Sequence, residues 1–300
     1  MFGMERWKDS LDMIQRTIQL ASTNREILKP TIAEAKVFLA AIGIPLLLIP
    51  LSILVPALGV LMILSWILSL LFLILVFPFI KTYYRAAQTW IVYKTFKGEA
   101  CSYRDGLDRA DINKGDIIGL TILEKVASMM AARIRGGQRK GAGVMTLILN
   151  IILSLIARGI EEAWDLVGNY LLPSSIIQEK NFIESAKELG NLKNNVPAGL
   201  VGIFGIEFVG SLIMSFVNLG LVLFVILSFF IAATTGFWPI FLFALIILVV
   251  GNVAGGMIIS MVKTIYFTVF FMAITMPNEI PKQYKESLTS YLKGGTTGKP

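Results

Sequence analysis

The sequence predicts an all-α integral membrane protein, with four transmembrane helices and a central helical hairpin that raises the membrane-embedded helices to six. Three observations carry this reading. Mean hydropathy is +0.73, and only 16% of the 300 residues are charged, against about 25% in an ordinary soluble domain. Residues 37–80 and 208–262, runs of 44 and 55, contain no Asp, Glu, Lys or Arg. All 27 Lys and Arg lie outside both runs.

Residues 1–36 carry eleven charges and no continuous apolar core, so they are not a signal peptide. Trp7, Leu11, Ile14, Ile18 and Ala21 recur at helical steps and predict an amphipathic helix. It lies either in the membrane interface or against the protein's own inner loops.

A bilayer core of about 30 Å needs roughly 20 helical residues, so each charge-free run holds two spans. Pro56-Ala-Leu-Gly59 divides the first run into spans of about 37–56 and 60–80. Ala233-Thr-Thr-Gly-Phe-Trp-Pro239 divides the second into spans of about 200–232 and 239–262 and beyond. Proline lacks an amide donor and glycine frees the chain, so both mark turns. Phe237 and Trp238 suit the headgroup level.

Six of the Lys and Arg lie in residues 1–36, twelve in 81–140 and five from Lys263 onward, and the two tight turns carry none. The positive-inside rule then predicts a multi-pass cell-membrane protein with both termini cytoplasmic, including the tail 277–300. Tyr83, Tyr84, Trp90 and Tyr93 with their basic neighbours read as an anchor at the inner interface rather than a cage for a cationic ligand. Ser102-Tyr-Arg-Asp105 reads as a capping box.

Between 117 and 134, Thr121, Glu124, Lys125 and Ser128 share one helical face, opposite Ile118, Ile122, Val126, Met130 and Ile134. Between 143 and 172 a second polar stripe holds Asn150, Ser154, Arg158, Glu161, Glu162, Asp165 and Asn169. An antiparallel hairpin would bring Glu124 and Lys125 near Asn150 and Ser154. The reading favours a membrane-embedded pair; a cytoplasmic hairpin is the alternative. The glycine-rich link at 135–143 lacks the GxxxxGK[ST] spacing of a phosphate loop.

Glu207, Ser211, Ser215 and Asn218 lie on one face of the next span. Asn252, Ser260, Lys263 or Thr264, and Thr268 form a comparable stripe on the returning helix. A turn centred near Gly236 sets Glu207 against Lys263, Ser211 against Ser260 and Asn218 against Asn252. Gly251 and Gly255 add a small-residue face for close helix approach, within one chain or between two. The seam reads as a structural polar zipper or as a path lined by those residues.

The absence of histidine and the single Cys101 exclude disulfide scaffolds, Cys/His zinc sites and imidazole catalysis. No catalytic, cofactor or metal residue is predicted. The partners indicated are the lipid bilayer, a second copy of the chain and a cytoplasmic protein on the basic inner face. No aromatic-interleaved basic stripe suggests nucleic acid.

Two stretches resemble a prokaryotic family of multi-pass membrane proteins of unknown function. The first is Thr82-Tyr-Tyr-Arg-Ala-Ala through Tyr93-Lys-Thr-Phe-Lys-Gly-Glu99 to Asp105-Gly-Leu-Asp-Arg-Ala110. The second runs from Ala163-Trp164 and Asn169-Tyr-Leu-Leu-Pro173 through Ile183-Glu-Ser-Ala-Lys-Glu-Leu189 and Asn194 to Leu200-Val-Gly-Ile-Phe-Gly-Ile206. The pattern is also similar to the membrane domain of glycerophosphodiester phosphodiesterases and, more weakly, to choline-transporter-like proteins. The resemblance implies about six helices and no established activity. The family's Val-x-Glu-Gly is replaced by Ile176-Ile-Gln-Glu-Lys-Asn, and the phosphodiesterase barrel is absent. A channel or transporter is the functional expectation; a non-catalytic membrane-organising or complex-assembly protein is the alternative.

Overall fold

Apolar helices that leave most of their side chains uncovered dominate the computed structural model. It describes residues 24–55, 58–136, 167–181 and 196–281, with Gln15, Gln19, Glu184 and Ser185. The helices are α1 (Lys29–Leu54), α2 (Gly59–Leu75), α3 (Phe77–Phe96), α4 (Tyr103–Ile112), α5 (Lys114–Gly136), α6 (residues 167–178), α7 (Val196–Thr235) and α8 (Pro239–Thr275). No strand occurs among the described residues. The predicted amphipathic helix around Trp7–Ala21 lies outside them, apart from Gln15 and Gln19, which are helical.

Three segments are long and apolar enough to cross a membrane: Arg25–Ile49, Gly205–Thr235 and Pro239–Thr275. A fourth arises if α2 and α3, bent by 47°, count as one broken span. The expected span at 60–80 is therefore interrupted, and Pro78 supplies the reason. A proline has no amide proton for the carbonyl four residues back and fits the first turn of a new helix. The chain accordingly ends α2 at Leu75 and restarts at Phe77. The second long hairpin turns where expected, with Gly236 at φ +71° between α7 and α8. Phe229, Trp238 and Phe241 pack their rings against one another at this turn.

α8 continues beyond 262, as expected, and runs on to Thr275, with an abrupt change of environment along the way. Leu242, Phe243, Ile246, Val249 and Ile258 are exposed, whereas every residue from 264 to 273 is buried. The outer part of the hairpin is thus covered chiefly by its own partner helix. The inner part is the central rod of a packed body containing Ile91, Val92, Phe96, Tyr170 and Ile206. α7 packs chiefly on α8, while α8 also meets α3 and α1.

The body is finished by α4, which opens with the expected capping box. Ser102 Oγ accepts the Asp105 amide at 3.2 Å, and the Asp105 carboxylate accepts the Ser102 amide at 2.8 Å. Gly106 lets α4 lie on α3, since a Cβ there would stand 2.8 Å from the Ala87 carbonyl oxygen. Arg109 lies 4.4 Å from the Trp90 ring and donates to Ile176 O at 2.7 Å, clipping the end of α6. Lys94 covers the same ring at 5.1 Å. Of the rings read as an interface anchor, Trp90 and Tyr93 are thus occupied by the chain's own cations, Tyr93 by Lys97.

Candidate functional site

The level at which the apolar hairpins join the body is marked by a belt of polar side chains. α3 enters this level carrying Lys81 and Arg85, one turn apart. Arg85 has a side chain only 11% exposed and reaches three other helices. Its guanidinium donates to Glu124 Oε1 on α5 at 3.4 Å, to Thr264 Oγ1 on α8 at 3.4 Å, and to Asn169 Oδ1 on α6. Glu34 of α1 is buried at 5% exposure, with Lys81 and Arg85 close enough for their charges to act on it.

Local chemistry prepares each group. Thr264 donates its hydroxyl proton to Ser260 O at 3.0 Å, leaving its oxygen lone pairs for Arg85. Gly168 makes room for Glu124, because a Cβ would lie 3.3 Å from the carboxylate oxygen. Lys125, next to Glu124, turns the other way and donates to Ile74 O at 2.6 Å. On the inner side, Gln88 Nε2 donates to Ile27 O at 2.8 Å and to Thr31 Oγ1 at 3.2 Å, joining α3 to the start of α1.

Of the predicted seam, Glu207 and Lys263 do meet, as an ion pair between α7 and α8. Lys263 precedes Thr264, so this pair belongs to the same belt. The remaining seam residues are placed differently. Ser211 and Ser215 are exposed and donate to Phe208 O and Ser211 O of their own helix. Asn252 is exposed and donates to Leu248 O. Asn218 Oδ1 is buried with no hydrogen-bond partner among the described residues. No hydrogen bond joins Ser211 to Ser260 or Asn218 to Asn252 among them.

The expected register of the hairpin is close to that observed, and the glycine face expected to allow close approach is turned inward, while the serine stripe is not. Gly210 abuts Ile259, Gly255 abuts Met214 and Gly251 abuts Leu221. Close packing of small residues against large ones gives dispersion contacts without leaving a void. The serines satisfy their hydroxyls on their own helix and have no need of the interface.

In the secondary seam, Glu124 and Lys125 are anchored on α3 and α2; Asn150, Ser154 and Arg158 lie outside the described residues. The hub itself, Arg85 with Glu34, was not picked out by sequence reasoning. The available signal was Lys81 and Arg85 at i,i+4, followed by the small, buried Ala86 and Ala87 that admit close neighbours.

Among the described residues, no three His, Cys, Asp or Glu side chains are grouped to hold a metal ion. Cys101 is buried beside the belt's inner elements, and burial pushes its thiol up to about 11. It stays protonated at neutral pH and is a poor nucleophile. At the centre of the belt, Arg85 lies between carboxylates from two different helices, Glu124 of α5 and Glu34 of α1. No protein-family model, curated protein or solved structure matches the chain.

Proposed function

We propose that this chain is a non-enzymatic transport protein of the cell membrane, a channel or carrier with six membrane-embedded helices, both termini cytoplasmic and its polar centre at Arg85. The observation that carries the reading is the convergence of α5, α6 and α8 on one largely buried cation of α3, with Glu34 of α1 near it. Ionisable groups within membrane helices are expensive and mark ion or substrate paths by default. The polar centre thus moves from the α7–α8 face to the belt where the hairpins meet the body.

The distribution of burial on α5 supports six helices rather than four. Ile118, Ile122, Val126 and Met130 are 45–53% exposed, while Thr121 is fully buried and Ala131 likewise. An apolar face turned outward with small and polar residues inward suits a lipid surround. Glu124 and Asn169 are also held at one level by their common donor, Arg85.

The membrane-organising reading is kept by one specific feature: Arg85 and Glu207 are both engaged with partners, as in a static staple. Flux from proteoliposomes separates the two. The transport reading expects selective ion or small-solute flux that Arg85→Gln changes at least tenfold while Arg85→Lys changes it less, both variants keeping wild-type elution in detergent. Flux equal in wild type and Arg85→Gln, or none above empty vesicles, overturns it in favour of the staple.

A further inference from the structure

Beside the α7–α8 contact runs a groove of about 350 Å³, bounded by Ile206, Gly210, Ile213 and Val217 on α7 and by Gly255 and Val262 on α8. Among the described residues, no polar side chain lines it. From 206 to 217 it extends about 17 Å along the helix at 1.5 Å per residue. It opens on the outer, uncovered part of the hairpin, where Ile213 and Ile258 are each 55% exposed. Its foot lies at the belt, since Ile206 and Val262 directly precede Glu207 and Lys263 in the chain.

We infer that this groove holds one acyl chain of a phospholipid whose zwitterionic headgroup sits over the Glu207–Lys263 pair. Three features choose this occupant. The first is size: a helix about 10 Å across and 17 Å long would fill over about 1,000 Å³, several times the space present. A single hydrocarbon chain is slender enough to lie in it. The second is charge complementarity at the foot. Lys263 offers an ammonium to a phosphate, and Glu207, with a side chain 36% exposed, offers a carboxylate to an ethanolamine ammonium. The third is position. The foot coincides with the belt, where the hairpin stops exposing apolar residues and the packed body begins, so the polar end of a lipid lying in the groove meets the hairpin's first charged side chains.

The site differs from the bulk lipid surround in having walls on both sides and a paired charge at one end. A lipid held there would brace a hairpin that has little other cover, and would link bilayer composition to the belt through Lys263 and its neighbour Thr264. This inference stands on the groove and does not need the transport reading.

Photolabelling tests it. The full chain is placed in vesicles of phosphatidylethanolamine and phosphatidylglycerol containing a trace of phosphatidylethanolamine with a photoactivatable diazirine in its acyl chain. After irradiation, adducts are mapped by peptide mass spectrometry. The expected result is labelling of peptides covering 206–217 and 251–262 several-fold above those of α2, with a diazirine phosphatidylglycerol probe labelling them less. Ile213→Trp, which fills the groove, should reduce groove labelling several-fold and leave α2 labelling unchanged. Replacing the unlabelled phosphatidylethanolamine of the vesicles with phosphatidylglycerol at constant probe removes the competitor, and should raise groove labelling several-fold over that of α2 without a substitution. Equal labelling of α2 and the groove overturns the inference in favour of a non-selective lipid annulus. Cross-links from position 213 to a second copy of the chain overturn it in favour of a dimer contact.

Discussion

Lys125 donates its ammonium to the carbonyl oxygen of Ile74 at 2.6 Å, in the place where Pro78 has no amide to offer. The break between α2 and α3 would otherwise leave that carbonyl without its helical donor. An unpaired carbonyl at such depth is costly. A side chain from α5 thus repairs a proline defect in a neighbouring helix pair, and ties α5 to the bend.

Lys125→Met keeps the apolar stem and removes the donor. It should lower stability by about 1.5 kcal/mol, the scale of a hydrogen bond to a charged group. In Pro78→Ala, where the amide is restored, the same substitution should lose less than half of that. Thermal unfolding in detergent of the four proteins of this cycle checks it. An equal loss in both backgrounds would show that Lys125 does not act through Ile74.

Arg85→Met should destabilise by about 1–3 kcal/mol, because it removes a shared hydrogen-bond donor from Asn169, Thr264 and the partly exposed Glu124. Glu124→Gln in that background should restore part of the loss, since a neutral amide no longer needs the cation. The measurement is a double-mutant cycle by thermal melting. Additivity within about 0.5 kcal/mol would remove Glu124 from the hub.

Two glycines should respond in opposite directions. Gly106→Ala drives a methyl to 2.8 Å from Ala87 O and 2.9 Å from the Ile91 side chain. It should cost about 1–3 kcal/mol through overpacking of α4 on α3. Gly119, inside α5, has nothing within 4 Å of the added carbon. Gly119→Ala should stabilise by about 0.5–1 kcal/mol by restricting the unfolded chain and improving helix propensity. Melting temperatures of the two variants against wild type decide both signs.

Acid should loosen α4 before the rest of the body. The Ser102 amide, then its hydroxyl, hold the Asp105 carboxyl below the usual range, as Arg109 does for Glu179. A carboxyl depressed in the folded state adds stability above its unfolded value, about 4. That contribution is lost as pH falls through the lower folded value. Hydrogen exchange, corrected for intrinsic rates, should show residues 103–112 losing protection below about pH 4. In Asp105→Asn, whose amide oxygen does not titrate, the step attributable to the cap should vanish.

The fold was legible where the signal is local or periodic. The charge-free runs marked both apolar hairpins, Gly236 and Pro239 marked their second turn, and Ser102 with Asp105 marked the start of α4. The bend at Val76 was also within reach, since Pro78 lies inside the expected span. The Glu207–Lys263 pair was readable because a tight turn sets the register of two consecutive helices. On the inward face of that hairpin the Gly251 and Gly255 stripe was legible, and both glycines abut α7. Polar periodicity on α7 was read into the same contact, whereas hydroxyls in an apolar setting can bond their own backbone and leave the contact to glycine.

The order of residues along the chain suffices for which segments are helical, which are apolar enough to enter a bilayer and where they turn, because each depends on neighbours a few positions away. Packing alone decided the hub. Arg85 meets Glu124, Asn169 and Thr264 across separations of 39, 84 and 179 residues. No spacing rule links positions so far apart. Their meeting depends on how α3, α5, α6 and α8 rotate and slide when apolar surface is buried around the inner half of α8. Only that arrangement turns an ordinary-looking arginine into the centre of the belt.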